Sequence, residues 1–215
     1  MTASRPFAPL ARVVALLGVV GLGATNLEIG PAFAADAVGP SLWPELGKVT
    51  KLEANFVQVQ HRKILKKPLE SRGTVRFARP SSLVWNVLSP AKSTFSLEGT
   101  KATMDVPDVG SHEVIDLAAV PDASRLATSL MVWLKADAAA VDHDFTATYM
   151  QSPPSVKLAP KDERLGKLVT SVRLDLATNP WRVAAVHFTE PTGDSVDIRF
   201  TGVKLDGVSV PDPTP

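Results

Sequence analysis

A regular alternation of apolar and polar residues, interrupted by turn signals, limits how this chain can fold more than any other feature. Residues 168–176, LVTSVRLDL, alternate in this way, and residues 181–190 and 195–203 repeat the pattern after turns rich in Pro, Asn, Gly or Asp. Alternation with a period of two is typical of strands, and short turns join antiparallel neighbours. The C-terminal third therefore predicts an antiparallel meander with one apolar face.

The first half of the chain shows the same pattern. Alternation is weak over residues 54–65 and clear over residues 73–79 and 83–87, and residues 94–106 predict a hairpin with its turn at Gly99. Strands with one apolar and one polar face are expected where a single sheet covers an apolar interior. The sequence therefore predicts a mainly β protein built on one curled antiparallel sheet.

Two segments break the strand pattern and predict helices. The first follows Ser41 as N-cap, and the second covers residues 121–141 with Asp122 as a cap. The apolar stripes of the two helices consist of Leu42, Leu46, Val49 and Leu52, and of Leu126, Leu130, Trp133 and Leu134. Such stripes belong either to ordinary core packing or to lids over a cavity, since a curled sheet needs cover on its concave side.

The N-terminal segment has the features of a secretory signal peptide. Arg5 and Arg12 form a positive region before an apolar run at residues 13–24, and Ala-Phe-Ala at 32–34 offers small residues for cleavage after Ala34. An uncleaved anchor is the alternative, but the run is shorter than the roughly 20 residues that cross a bilayer. We expect residues 1–34 to be a signal peptide and residues 35–215 to be one domain, with a loose proline-rich tail.

Cysteine is absent from the chain. This excludes disulfides, thiol catalysis and anchoring through a lipid-modified N-terminal cysteine. Together with the signal peptide, it predicts a protein that is free in the periplasm or secreted.

No residue pattern indicates an enzyme, a metal site or a nucleic-acid interface. The four histidines, His61, His112, His143 and His187, are scattered without metal-ligand spacing, and no nucleophile elbow or phosphate loop is present. The formal net charge is +1, so a basic footprint for nucleic acid is missing. We therefore expect no catalytic residues, no cofactor and no metal.

Arg79 stands out because the alternation places it on the same face as Val75 and Phe77. An unpaired guanidinium in an apolar interior costs several kcal/mol, so it needs a partner or a route to water. One interpretation is that Arg79, at the end of its strand before Pro80, extends to solvent at the rim of the sheet. The other is that Arg79 points inward because it has a function there.

The motif around Arg79 resembles a known family. Residues 73–85 follow the pattern G-x-V-R-F-x-R-P-x-x-L-x-W, preceded by NFVQ at 55–58 and followed by LEGTKATM at 97–104 and EPTGD at 190–194. This arrangement resembles LolA, the periplasmic carrier of outer-membrane lipoproteins. The resemblance implies a mainly β fold with some α structure, in which a single antiparallel sheet forms an unclosed barrel covered by lid helices.

The resemblance also implies an apolar cavity with Arg79 beside it, and contacts of Arg79 with the helices that govern opening and closing. The opposite face of any one strand could be the inner one, because the sequence does not fix the register. The side chains that we expect to line the cavity are Val75, Phe77, Leu83, Trp85, Phe95, Leu97, Met104, Leu130, Trp133, Val172, Leu174, Val196 and Ile198.

The expected function is to shield the acyl chains of lipoproteins while they cross from the inner to the outer membrane. The partners implied are an ATP-driven inner-membrane transporter of the LolCDE type or an RND-type exporter, and an outer-membrane acceptor of the LolB type. We expect a monomer that binds lipoprotein or other acylated cargo and no nucleic acid.

Two departures from the family pattern leave alternatives open. Residues 98–107 contain no aromatic side chain, and the tail lacks a final aromatic strand. These features keep open the alternative of a divergent LolA-like paralogue that carries another lipid or a polyene for an export system. A membrane-side receptor of similar fold and an enzyme with an unrecognised lipid site are the alternatives from other classes.

Overall fold

A computed structural model describes residues 38–119 and 132–213. The predicted signal peptide, its cleavage site and Leu130 lie outside the described residues. The strands in the described part of the chain are Lys51–His61 (β1), Leu69–Ala78 (β2), Ser82–Ser89 (β3), Ser93–Glu98 (β4), Lys101–Val106 (β5), Ser111–Asp116 (β6), Phe145–Gln151 (β7), Pro154–Pro160 (β8), Ser171–Ala177 (β9), Arg182–Thr189 (β10), Ser195–Leu205 (β11) and Val208–Ser209 (β12).

Within the described residues, the 12 strands form one antiparallel sheet in the order β6-β5-β4-β3-β2-β1-β11-β10-β9-β8-β7, with β12 on the end of β11. The sheet does not close on itself, so β6 and β7 are its two edges. The predicted fold class, a single antiparallel sheet forming an unclosed barrel, is confirmed. Sequence alternation did not reveal β6, β7 and β8.

The helices are short and lie between or before the strands. They are Leu42–Gly47 (α1), Val132–Lys135 (α2), Ala138–Asp144 (α3) and Glu163–Gly166 (α4), and Pro107–Val109 and Leu117–Ala119 are 3-10 turns. Among these described helices, none combines the length and the apolar character needed to pass through a bilayer.

The first helix prediction was too long, and the second is interrupted within the described residues; its first part, with Asp122, lies outside them. Ser41 is at the N-cap of α1 but makes no side-chain capping bond, and α1 ends at Gly47, so Leu52 lies in β1 instead. The second predicted helix breaks where Ala136 has a φ of 47°. The carboxylate of Asp137 then accepts hydrogen bonds from the first N–H groups of α3 and starts a separate helix.

The core lies on the concave face of the sheet, where Phe56 of β1 stacks on Trp85 of β3 with ring centroids 4.1 Å apart. Gly73 of β2 pairs with Phe56, and a Cβ atom there would fall 1.8 Å from the carbonyl oxygen of Asn86 and 2.7 Å from the ring of Phe56. The glycine that opens the R-P motif is therefore required by the close approach of the Asn86 backbone and of the Phe56 ring.

The described part of the C-terminal tail, residues 210–213, is held against the sheet, contrary to the prediction that the tail is loose. The N–H of Val210 donates to the carbonyl of Val203 at 3.0 Å, and the carboxylate of Asp212 accepts from the N–H of Gly202 at 2.9 Å. Backbone pairing and one acidic side chain thus fix the described part of a tail whose composition alone suggests mobility.

Candidate functional site

A hollow of about 40 Å³ lies between the concave face of the sheet and helices α1 and α2. Water requires roughly 10–15 Å³ in such a cavity, so the hollow admits a few water molecules and no hydrocarbon chain in this conformation. Its lining is apolar apart from two arginines. The lining residues are Leu46, Val49, Leu52, Val75, Phe77, Arg79, Leu134, Trp181, Arg182, Val183, Phe200 and Leu205.

Arg79 extends from the end of β2 toward the helices. Its Nε donates to the carbonyl oxygen of Val49 at 2.7 Å, and one Nη donates to the carbonyl oxygen of Lys135, the last residue of α2. The other Nη is 3.5 Å from the carbonyl oxygen of Leu46 in α1. One guanidinium therefore ties the sheet to both helices that cover the hollow.

The position of Arg79 answers the question that the sequence left open. Its side chain is half-buried, and its guanidinium carbon lies 5.9 Å from the ring centroid of Phe77. A hydrogen bond from a charged donor contributes about 1.5–3 kcal/mol, which offsets much of the cost of burying the charge. The helix carbonyls hold the guanidinium, so Arg79 does not simply extend into bulk water.

Arg182 approaches the same hollow from the first residue of β10. Its side chain is 3% exposed, and its two Nη atoms donate to the carbonyls of Pro180, at 3.2 Å, and of Pro211 in the tail. Its Nε is buried and has no hydrogen-bond partner among the described residues. Burial lowers the pKa of Arg182 from its ordinary value, and the carboxylate of Asp212 opposes this effect.

The structure places the predicted cavity residues in two groups. Val75, Phe77 and Arg79 line the hollow, whereas the other described ones are buried in the core beside or beyond it. This second group consists of Leu83, Trp85, Phe95, Leu97, Met104, Val172, Leu174, Val196 and Ile198. Trp133 belongs to α2, and Leu130 lies outside the described residues.

Several residues that line the hollow were not predicted, and Arg182 is the most informative. In the sequence, Arg182 alternates with Ala184, Val186 and Phe188, all of which are buried. A register irregularity between Val183 and Ala185 interrupts this alternation in the structure, so that Trp181, Arg182 and Val183 all line the hollow. Alternation in the sequence therefore hints at Arg182 but not at its two neighbours.

A second and larger hollow, of about 450 Å³, lies between α1, α3 and strand β7. The indole N–H of Trp43 donates to the hydroxyl of Tyr149 at 2.9 Å, so these two aromatic side chains are held together in its wall. Its lining residues are Pro40, Trp43, Ala138, Val141, Asp142, Phe145, Thr146, Ala147, Tyr149 and Lys161. It offers space and ring surface next to the same helix, α1, that Arg79 holds.

The convex face carries a cluster of charged side chains around His187 in β10. One ring nitrogen of His187 lies 2.6 Å from the carboxylate of Asp197 in β11, and the other lies 2.7 Å from that of Asp175 in β9. Arg173 and His61 contact the same carboxylates at 2.9 Å and 3.3 Å. These contacts join three neighbouring strands and the end of β1.

The pKa values of this cluster shift in the directions that the contacts require. Burial disfavours the charged imidazole, but the hydrogen bonds to Asp175 and Asp197 outweigh it and raise the pKa of His187 to about 9. Burial likewise opposes ionisation of Asp175, yet His187 and Arg173 leave its pKa below the usual value. The hydrogen bond with His187 lowers the pKa of Asp197 more than its burial raises it.

The chemistry available in the hollows is that of binding. Their walls offer apolar surface and hydrogen-bond donors, and the titrating cluster lies on the opposite face of the sheet. Within residues 38–119 and 132–213, no group of three or more acidic or histidine side chains is arranged to hold a metal ion. An apolar hollow with a charged group at its wall is the usual form of a site for a largely apolar ligand.

Comparison with known proteins identifies one family. The family model described as outer membrane lipoprotein carrier protein LolA matches residues 47–211, a span that runs from the end of α1 into the tail. Among curated proteins, none matches the chain in sequence.

Solved structures with a similar fold are distant in sequence. A LolA superfamily protein from Nitrosomonas europaea is 10% identical, with a TM-score of 0.40 over 80% of this chain and 94% of its own. A DUF1329 family protein from Desulfovibrio piger is 12% identical, with a TM-score of 0.45 over 80% of this chain and 94% of its own. LprF from Mycobacterium bovis is 13% identical, with a TM-score of 0.34 over 83% of this chain and 99% of its own.

Proposed function

The chain belongs to the LolA family of outer membrane lipoprotein carrier proteins, and on that premise we propose that it carries the acyl chains of lipoproteins across the periplasm. The cargo chains would lie between the concave face of the sheet and the helices that cover it. The observation that carries this proposal is the position of Arg79, whose guanidinium holds α1 and α2 down over an apolar hollow.

The energetic task of such a carrier is to replace the burial that a membrane provides. Each buried methylene group contributes about 0.8 kcal/mol, so a sixteen-carbon chain favours an apolar environment over water by roughly 10 kcal/mol. The sheet supplies that environment from aliphatic and aromatic side chains such as Val75, Phe77 and Phe200, all of which line the hollow.

Entry of cargo requires the helices to move. The hollow beside Arg79 measures about 40 Å³, so a hydrocarbon chain can enter only when α1 and α2 separate from the sheet. This separation breaks the bonds from Arg79 to Val49 and Lys135. Because the acceptors are neutral carbonyls, water or the polar atoms of the cargo can replace them without separating opposite charges.

The larger hollow beside Trp43 is the place where we expect a displaced helix to expose further apolar surface. It is lined by Trp43 of α1, whereas Leu46 of the same helix lines the hollow beside Arg79, and Phe145 and Tyr149 contribute to its wall. Movement of α1 would therefore join two apolar spaces into one, which suits cargo with more than one acyl chain.

Substitution of Arg79 by Leu tests the proposal. The variant should fold, but its closed form should be less stable than that of the wild type. Both its uptake of a triacylated lipoprotein from vesicles and its release of that lipoprotein to acceptor vesicles should therefore be slower. Arg76→Leu is the matched control, because Arg76 is exposed on the opposite face of the same strand. Transfer by Arg79→Leu at the rate of both the wild type and the control would contradict the proposed role.

The same proposal includes the route of the cargo. An ATP-driven or RND-type inner-membrane transporter would hand the cargo to the carrier, which would cross the periplasm and deliver it to an outer-membrane acceptor.

The family consists of carrier proteins, and we propose that this chain likewise turns over no substrate. Incubation with a lipid ester should yield no hydrolysis products, whereas steady release of free fatty acid would show an enzyme.

A second cargo class is favoured by strand β5, which lies three strands along the sheet from β2. The inward side chains of β5 are Ala102 and Met104, both buried, so this strand contributes no aromatic ring to the wall. A soft wall of this kind accepts flexible chains of varied shape. Native mass spectrometry of protein taken from its own host would weigh the bound lipid and decide between lipoprotein and another lipid or a polyene.

A further inference from the structure

The connection between β1 and β2, residues 62–68, forms a tip that presents apolar side chains to solvent. Ile64 is 91% exposed and Leu65 is 47% exposed. Single exposed aliphatic residues are common, but here two are adjacent, at the end of a hairpin. Leu69, at the start of β2, is 43% exposed and extends the same apolar surface.

Lysines surround these aliphatic side chains. The sequence of the tip is Arg-Lys-Ile-Leu-Lys-Lys-Pro, and Lys63, Lys66 and Lys67 are all exposed. Arg62 differs, because its guanidinium pairs with Glu190 at 3.1 Å and lies 3.7 Å from Asp194. Glu190 and Asp194 thus hold Arg62 at the base of the tip.

The base of the tip is fixed to the turn between β10 and β11. The N–H of Lys63 donates to the carboxylate of Asp194 at 2.6 Å, and its ammonium group donates to the carbonyl of Thr192 at 2.5 Å. The N–H of Leu65 closes a turn with the carbonyl of Arg62 at 2.8 Å. These hydrogen bonds fix the backbone of the tip so that Ile64 and Leu65 point outward, which lowers the entropic cost of any contact that they make.

The tip lies at the end of the sheet opposite the hollow that contains Arg79. His61 pairs with Ser195 at this end, whereas Leu52 pairs with Leu205 at the other. Leu88, which is 57% exposed, also lies at this end, next to Ser89, which pairs with Arg72. The apolar side chains of the tip are thus separated from the proposed cargo site by the length of the strands.

We infer that this tip docks on a bilayer surface that contains anionic lipids. Adjacent aliphatic side chains followed by Lys66 and Lys67 match the interface of such a bilayer, where hydrocarbon lies directly beneath negative headgroups. A protein partner is less well matched, because the tip has no Trp, Tyr or unpaired Arg of the kind that anchors protein interfaces. The docking would bring the carrier to a membrane without the use of its cargo site.

Flotation with vesicles tests this inference. The protein is expressed from the full-length gene, purified as the cell processes it, and its N-terminus is recorded by mass spectrometry. Wild-type protein should float with vesicles of phosphatidylcholine mixed with phosphatidylglycerol, and less with phosphatidylcholine alone or at high salt. The double variant Ile64→Ser, Leu65→Ser should bind the anionic vesicles at least about tenfold more weakly.

Two controls isolate the contribution of the tip. Val208→Ser removes an aliphatic side chain that is 68% exposed at the opposite end of the sheet, and it should float like the wild type. Lys66→Gln with Lys67→Gln should lose the preference for anionic vesicles. Equal flotation of the wild type and the Ile64, Leu65 double variant would overturn the inference. Failure of the wild-type protein to float with any of the lipid mixtures would also overturn it, and would point to a protein partner instead.

The inference does not rest on the proposed cargo. Arg79→Leu should float with anionic vesicles as the wild type does, because Arg79 lies at the other end of β2. Loss of flotation in this variant would show that vesicle binding occurs through the cargo site, and would overturn docking by the tip.

Discussion

On the inner face of the sheet Arg79 and Arg182 donate to backbone carbonyls, whereas on the outer face His187 is held between the carboxylates of Asp175 and Asp197. A carbonyl has no net charge, so water or a ligand can replace it without separating opposite charges. The outer contacts join charged groups on three strands and resist separation more strongly. The inner arrangement suits a part that moves, and the outer one suits a part that stays in place.

The two inward arginines also differ from each other. Arg79 donates to groups in or next to α1 and α2, which must move when the hollow opens, while Arg182 donates to Pro180 and to Pro211 in the tail. Lifting the helices would break the contacts of Arg79 and leave those of Arg182 intact. We therefore expect Arg182 to contribute mainly to stability and Arg79 mainly to opening.

The largest effect should come from Arg182→Ala. Loss of a fully buried side chain with two charge-assisted hydrogen bonds should lower the free energy of unfolding by about 2–3 kcal/mol. Urea denaturation measures this change, with Arg199→Ala as control because Arg199 is exposed on the outer face of β11. A loss no larger than that of the control would show that Arg182 does not hold the tail.

The outer cluster predicts a dependence of stability on pH. The pKa of His187 is raised to about 9 in the folded protein, so its stabilisation is complete below the unfolded value and is lost as the pH rises through 9. We expect a loss of about 2 kcal/mol over this range, after allowance for screening at a partly exposed site. The lowered pKa values of Asp175 and Asp197 add a second loss below about pH 4.

Denaturation curves recorded at several pH values check this prediction, with His187→Gln as the comparison. As the pH rises through 9, the variant should lack the part of the decrease in unfolding free energy that His187 causes, while decreases due to other groups remain. The same decrease in the wild type and in His187→Gln would exclude the cluster as the cause.

The smallest effect should come from Asp137→Ala, which acts only on the helix side of the hollow. Its carboxylate accepts from the N–H groups of Ala139 and Ala140, both at 3.1 Å, and loss of such a cap costs about 1 kcal/mol. Hydrogen exchange should become faster in α3 and stay unchanged in β9 to β11. Asp137→Asn keeps a capping oxygen and should exchange like the wild type, and faster exchange across the sheet would refute the separation of the two faces.

Much of the fold could be predicted because one face of each of several strands is consistently apolar. The pattern around Val75 and Phe77 identifies β2, and the same pattern identifies β9 to β11 near the C-terminus. Strand β8 escaped notice because Pro154 and Pro160 bound it and proline usually indicates a break. Strand β6, with the sequence SHEVID, is an edge strand whose polar residues hide the alternation.

The candidate site could be predicted only in part. The face shared by Arg79, Val75 and Phe77 was sufficient to indicate an inward cation, but the helix carbonyls that accept from it are backbone groups without a sequence signature. Residues such as Leu83 and Trp85 were expected at a cavity and are packed in the core, because alternation identifies the inner face and not the places where packing leaves space.

The free edges at β6 and β7 have a consequence for the size of what the sheet can enclose. A closed barrel has a diameter fixed by its number of strands and their stagger, whereas an unclosed sheet can flatten or tighten through small changes of twist with every ladder bond kept. The width of the interior then depends on the hydrocarbon that it encloses. One such scaffold could enclose a single slender hydrocarbon tail or a thicker bundle, and return to its narrow form once emptied.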